Sequence, residues 1–164
     1  MEQIQVRRAG GDDADGLREL VTGLSPRSAF LRFCAGVGTP TSRMLAALLR
    51  RDADHGAWVA VHGRTTVGHL SWAVVADGVV EVGAMVADAW QGRGLGRALV
   101  DRGLAEAATH GARSVRLVVH HENRTLLRRL AAGATSVQRE DYDVVVDRPL
   151  ADLLTPRRDL QLVA

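Results

Sequence analysis

The chain contains no lysine, so all 21 of its basic residues are arginine. A P-loop, whose lysine rests on the phosphates, is excluded. Schiff-base chemistry and pyridoxal phosphate anchored on lysine are excluded with it. The single cysteine, Cys34, leaves no intrachain disulfide, and a reducing, cytoplasmic setting is expected. Aromatic residues make up only 4% of the chain and the net charge is +2. Base stacking and phosphate tracking along a nucleic acid are therefore unsupported. The pI near 9.4 mostly reflects arginine's high pKa. No apolar run approaches the roughly 20 residues a membrane helix needs. The opening Met1-Glu2-Gln3-Ile4-Gln5 does not read as a signal peptide.

What is present is ordinary globular composition, 46% apolar and 24% charged over 164 residues. Such a length predicts one domain with a real core. It is placed at residues 1–150, with 151–164 as a C-terminal extension. A strand at residues 4–8 is followed by Asp12, Asp13 and Asp15, which precede Leu17, Leu20, Val21 and Leu24 at helical spacing. Ser25-Pro26 starts a second helix, with Phe30, Leu31 and Phe33 as its buried side, closed by Gly36, Gly38 and Pro40. Thr41 or Ser42 starts a third, carrying Met44, Leu45, Leu48 and Leu49 and ending near Asp54. The period then changes. Strands at 58–61, 67–76 and 79–86 alternate with tight turns, Asp77-Gly78 being a hairpin signal. A long helix at 94–110, a strand at 114–121, a short helix capped by Asn123 and a last strand at 142–146 complete the order. A mixed α/β sheet with helices on both faces follows.

The segment Val86-Ala87-Asp88-Ala89-Trp90-Gln91-Gly92-Arg93-Gly94-Leu95-Gly96-Arg97 carries the chemistry. A strand runs through a glycine-rich turn into a long helix, which gathers free amides and the positive helix end at one spot. That is an anion site suited to phosphate or pyrophosphate, approachable because the glycines carry no Cβ. The Rossmann fingerprint fails in both frames, since its last glycine would be Arg97 or Leu99.

Gln91-x-x-Gly94-x-Gly96 resembles the Q/R-x-x-G-x-G/A signature of the GNAT superfamily of acyl-CoA-dependent N-acetyltransferases. The resemblance extends over about residues 3 to 147, in element order as well as motif. It implies a mostly antiparallel central sheet flanked by helices, and acetyl-CoA as the acyl donor. It implies that backbone amides of Gly92, Arg93, Gly94, Leu95, Gly96 and Arg97, together with Gln91, bind the diphosphate. Ala84, Met85 and Val86 would pair with pantetheine like an added strand, one amide polarising the thioester carbonyl. Asn123 matches an asparagine that often contacts the cofactor arm, and as a residue it is equally a helix cap.

Glu81 is out of place in a strand of Val79, Val80, Val82, Ala84 and Val86. A carboxylate in apolar surroundings would have a raised pKa and suit a base for an amine nucleophile. The other possibility is a solvated glutamate opposite Ser71 or a neighbour. Bacterial protein-lysine acetyltransferases of the superfamily place a base glutamate at the same distance before the motif. The segment Leu24-Ser25-Pro26-Arg27-Ser28-Ala29-Phe30-Leu31-Arg32-Phe33 also resembles their L-S/T-P-x-S-x-x-x-R-F, Cys34 departing where a second aromatic commonly follows. The implied acceptor is a primary amine, first a protein lysine, second a small-molecule amine; a non-catalytic acyl-CoA sensor is the rival. The family's acidic tyrosine is absent: Leu130 stands there, and Tyr142 is the only tyrosine. His120-His121-Glu122 fits no common zinc spacing and no metal is expected; His55, His62 and His69 are expected to be solvated and Cys34 to be buried. A homodimer is an open possibility.

Overall fold

The computed structural model describes residues 3–34 and 38–154. Gly36 and residues 155–164 of the expected extension lie outside them. A single seven-stranded sheet runs in the order β1-β2-β3-β4-β5-β7-β6. Its strands are β1 (Ile4–Arg8), β2 (His55–His62), β3 (Thr65–Ala76), β4 (Val79–Val86), β5 (Ser114–His120), β6 (Ser136–Glu140) and β7 (Asp143–Pro149). The helices are α1 (Ala14–Gly23), α2 (Pro26–Phe33), α3 (Ser42–Leu48), α4 (Leu95–Thr109), α5 (Arg124–Ala131) and α6 (Leu150–Leu154).

The hydrophobic periods decide which face each helix covers. Val80 and Val82 of β4 pack with Leu95, Leu99, Leu104 and Ala107 of α4 and Leu150 of α6. Met85, on the opposite face of β4, joins Leu17, Leu20, Val21, Ala29 and Leu45 from α1, α2 and α3. Leu130 of α5 closes a third cluster over Val119, Val144 and Val146. On α4, the buried Glu106 accepts from the indoles of Trp58 at 2.7 Å and Trp72 at 3.3 Å and pairs with Arg8 at 2.8 Å.

Five local expectations change. β6 was not foreseen; its one apolar residue, Val137, is 55% exposed on the edge strand. α3 ends at Leu48, and β2 begins at His55. α2 buries Ala29, while Phe30, Leu31 and Phe33 are half-buried. The Asp13 side chain does not cap α1; it accepts from the Gly10 amide at 2.7 Å and from Arg7, which holds its carboxyl below the ordinary range. The segment after Pro149 begins as α6, whose Leu153 and Leu154 pack on the main core.

Every neighbouring pair in the sheet is antiparallel except β4 with β5. That parallel pairing covers only Val79↔Ser114, Val80↔Val115 and Glu81↔Arg116. Beyond it β4 continues beside β3 and β5 beside β7, so the two strands part. The result is a wedge with one free edge of β4 along residues 82–86.

Candidate active site

The wedge opens toward the turn between β4 and α4. Gly92 and Gly94 adopt φ of +73° and +82°, where a side chain would be strained. A Cβ at either would meet nothing within 4 Å, so the glycines serve backbone conformation and leave the turn bare to solvent. None of the amides of residues 92–97 has an acceptor among the described residues; the nearest bonded ones are Gln91 N to Asp88 O and Ala98 N to Gly94 O. Consecutive unpartnered donors at the start of a fifteen-residue helix form an anion cup. Arg93 lies over the Trp90 ring at 4.8 Å, at the cup's rim. The Arg97 side chain is turned aside, to Asp101 at 2.6 Å and to the Leu153 carbonyl.

The motif's Gln91 binds the chain itself. Its Nε2 donates to the Val86 carbonyl at 3.1 Å and to Ser28 Oγ at 3.3 Å, fixing the last residue of β4. Asp88 makes the companion contact. Its carboxylate accepts from the Ser25 amide at 2.9 Å, Ser25 Oγ at 2.9 Å and Ser28 Oγ at 2.7 Å. These donors, the Ser25 amide first, hold the Asp88 carboxyl below the usual carboxylate range. The serines of the Ser25-Pro26 segment therefore attach the start of α2 to the glycine turn, a contact the sequence alone does not disclose. Ser25 Oγ also caps α2 by accepting from Ser28 N.

Among the expected pantetheine partners, Ala84 and Val86 are half-buried on the α4 face, whereas the Met85 side chain is buried under α1 to α3 and its residue pairs with His69 of β3. Asn123 caps the start of α5, its Oδ1 accepting from Leu126 N at 3.3 Å. Glu81 corrects an expectation: it is exposed, between the buried Val80 and Val82. It stands opposite Ala73, not Ser71, and beside Arg116 where β4 and β5 part. No hydrogen bond or ion pair engages it among the described residues, since Arg116 pairs with Asp147 at 2.9 Å.

α2 roofs the wedge on the Glu81 face. Arg32 lies against Gly83, and Phe30 meets His120 edge-on at 4.7 Å. Cys34, at the αL end of the helix, donates from Sγ to Asp143 Oδ1 at 3.4 Å. Cys34 is exposed, contrary to expectation. The His120 and His121 rings lie 4.5 Å apart, centroid to centroid, because His121 has already entered the turn after β5. His69, expected in solvent, is 0% exposed and donates from Nε2 to the Leu48 carbonyl. Leu130 fills the core under α5, so its position supplies no proton donor.

A family model described as the acetyltransferase (GNAT) family matches residues 27–131. Among solved structures, the GNAT domain of S. lividans PAT is similar with a TM-score of 0.80 at 24% identity, over 89% of this chain and 90% of that one. A spermidine N-acetyltransferase SpeG chimera from Vibrio cholerae and hSSAT gives 0.70 at 18% identity, over 94% and 99%. The PaiA N-acetyltransferase from Thermoplasma acidophilum in complex with coenzyme A gives 0.66 at 14%, over 90% and 99%. No curated protein matches the chain. At these identities the structural likeness establishes the mixed α/β fold.

Proposed function

The chain belongs to the acetyltransferase (GNAT) family, and from that premise we propose that it transfers an acetyl group from acetyl-CoA directly to a primary amine. The observation that carries this is the run of unpartnered amides at residues 92–97, set at the mouth of a wedge whose β4 edge is free. The cup suits a diphosphate, and the free edge suits the peptide-like pantetheine arm. With the diphosphate in the cup, the thioester would lie near Gly83 and Ala84, where a β4 amide would accept the growing charge on its oxygen.

Glu81 faces the α2 side of the wedge and is proposed as the base. It takes a proton from the ammonium of the acceptor, directly or through water, because an alkylamine is protonated at neutral pH. The amine nitrogen then forms its bond to the acyl carbon, the C–S bond breaks and the CoA thiolate leaves, and the second proton of the nitrogen, made acidic by acylation, passes to solvent water. Its ordinary thiol pKa of about 8.5 makes it a fair leaving group without a donor at Leu130. A protein lysine is the acceptor class favoured by the 24–33 segment. That segment's serines set α2 against the glycine turn, so it also shapes the acceptor side of the wedge.

The test is turnover by Glu81→Gln over a panel of lysine peptides and small amines, with acetyl-CoA affinity measured in parallel. The expected loss in kcat at neutral pH is on the order of 100-fold or more, with affinity unchanged. Full turnover would remove Glu81 from the role. Acetyl-CoA binding without transfer to any acceptor by the wild type would favour a sensor.

A further inference from the structure

One cation beside the wedge has no hydrogen-bond or ion-pair partner among the described residues. Arg32, near the end of α2, makes no ion pair or hydrogen bond among the described residues, and its Nε is buried without an acceptor. Its guanidinium lies flat on Gly83. A Cβ built there would fall 2.6 Å from Cζ and Nη2 and 2.9 Å from Nη1. Glycine is thus the residue that admits it. The Phe33 ring borders the group, 4.9 Å from Cζ to centroid. Burial pulls the guanidinium's pKa below its ordinary value, and the charge of Glu81 opposes that shift. Yet Glu81, two residues before Gly83 on the same face of β4, does not close a salt bridge with it.

The position matters as much as the missing partner. Pairing between β4 and β5 stops at Glu81↔Arg116, so Gly83 lies on the free edge where the acyl end of the donor and the incoming amine would meet. A guanidinium presents donors in a planar fork that matches a carboxylate, and removing it from water without an anion is costly. We propose that Arg32 is a carboxylate subsite, receiving a carboxylate carried either by the acyl chain of the donor or by the acceptor itself. The proposal rests on the acetyltransfer reading and extends it to a substrate class. Glu81 and Arg32 then address opposite ends of one transfer, the first an ammonium and the second an anion.

Two arms separate the sources. In the donor arm, succinyl-CoA is compared with acetyl-CoA on one amine. In the acceptor arm, free amino acids are compared with their amides, and lysine peptides flanked by glutamate with those flanked by glutamine. The wild type is expected to favour the carboxylate-bearing member of one arm by about ten-fold or more in kcat/KM. Arg32→Gln collapses that ratio toward one, and Arg32→Lys, which keeps charge without the fork, retains part of it. The wild-type ratio and the lysine variant keep the test decisive if the glutamine variant does not fold. No wild-type preference in either arm, or a ratio unchanged in Arg32→Gln, overturns the assignment. If no amine is acylated by any donor, the transfer reading falls by itself, and the subsite is then decided by binding. Succinyl-CoA against acetyl-CoA, and N-acetyl amino acids against their amides on CoA-loaded protein, must differ in Kd for the wild type and converge in Arg32→Gln; equal wild-type values overturn it.

Discussion

Acidification should weaken the fold through His69. His69 sits in β3 with 0% exposure. Its Nε2 donates to the Leu48 carbonyl at 2.9 Å, tying the end of α3 to the sheet, so Nδ1 is the bare nitrogen, and it is buried with no donor nearby. Burial pushes the pKa down from 6.5 to about 4; the bond to Leu48 opposes this, and the charge of Arg32 adds to it. Above the unfolded value neither state carries the proton. Between about 6.5 and about 4 the unfolded chain binds a proton that the folded chain does not. Stability therefore falls with pH at up to about 1.4 kcal/mol per unit, about 3 kcal/mol across the window, and levels off below it. That is a large share of a total of roughly 5–15 kcal/mol. Urea unfolding of the wild type and of His69→Leu from about pH 7 to about pH 4.5 measures it. The variant starts lower because it loses the tie to Leu48, so only the slopes are compared. The wild type should lose more stability on acidification than the variant. Parallel curves would show that His69 is protonated in the folded protein, and the burial argument would fail.

Gly94→Ala forces a side chain into φ of +82°, costing roughly 1 kcal/mol in stability, and it places a methyl group in the amide cup. Acetyl-CoA Kd by calorimetry should rise about ten-fold, given that a charge-assisted hydrogen bond is worth roughly 1.5–3 kcal/mol; unchanged affinity would refute the cup as a diphosphate site. Asp88→Ala releases the Ser25 and Ser28 contacts that hold α2 to the glycine turn. It should raise KM for the acceptor more than Kd for acetyl-CoA, at roughly 1 kcal/mol of stability. Glu106→Ala leaves the Trp58 and Trp72 indoles without their acceptor while Arg8, 58% exposed, stays solvated, and urea unfolding should report a loss of about 2 kcal/mol.

The β2 to β5 core and the long helix were legible because their signals are local. Alternation, Asp77-Gly78 and the glycine pair at 92 and 94 depend on each residue's own backbone, and β4 is found at residues 79–86 as the pattern predicts. β6 escaped because alternation announces a strand only when one face is covered, and Val137 lies on an open edge. Glu81 shows the related failure. An apolar strand indicates burial on average, yet Glu81 is exposed where β4 and β5 part although α2 covers Gly83 on the same face, and no period encodes where a neighbouring strand stops pairing.

The acceptor side was the least legible part because its contacts join distant segments. Asp88 reaches Ser25 across 63 residues, and Cys34 reaches Asp143 across 109. Helical periodicity in 26–33 predicts Phe30 and Phe33 as core, where the fold leaves them half-buried, and says nothing of what Arg32 faces. In the folded protein the two ends of that helix have separate tasks. Ser25 and Ser28 fasten its start to the glycine turn, and Arg32 lies against Gly83 at the parting of the strands. One short helix thus links the proposed donor cup to the proposed acceptor side. A change at either end must be felt at the other, because eight residues of helix transmit displacement as a rigid rod. Variants at Asp88 and at Arg32 should therefore couple non-additively in acceptor KM, although their side chains do not touch.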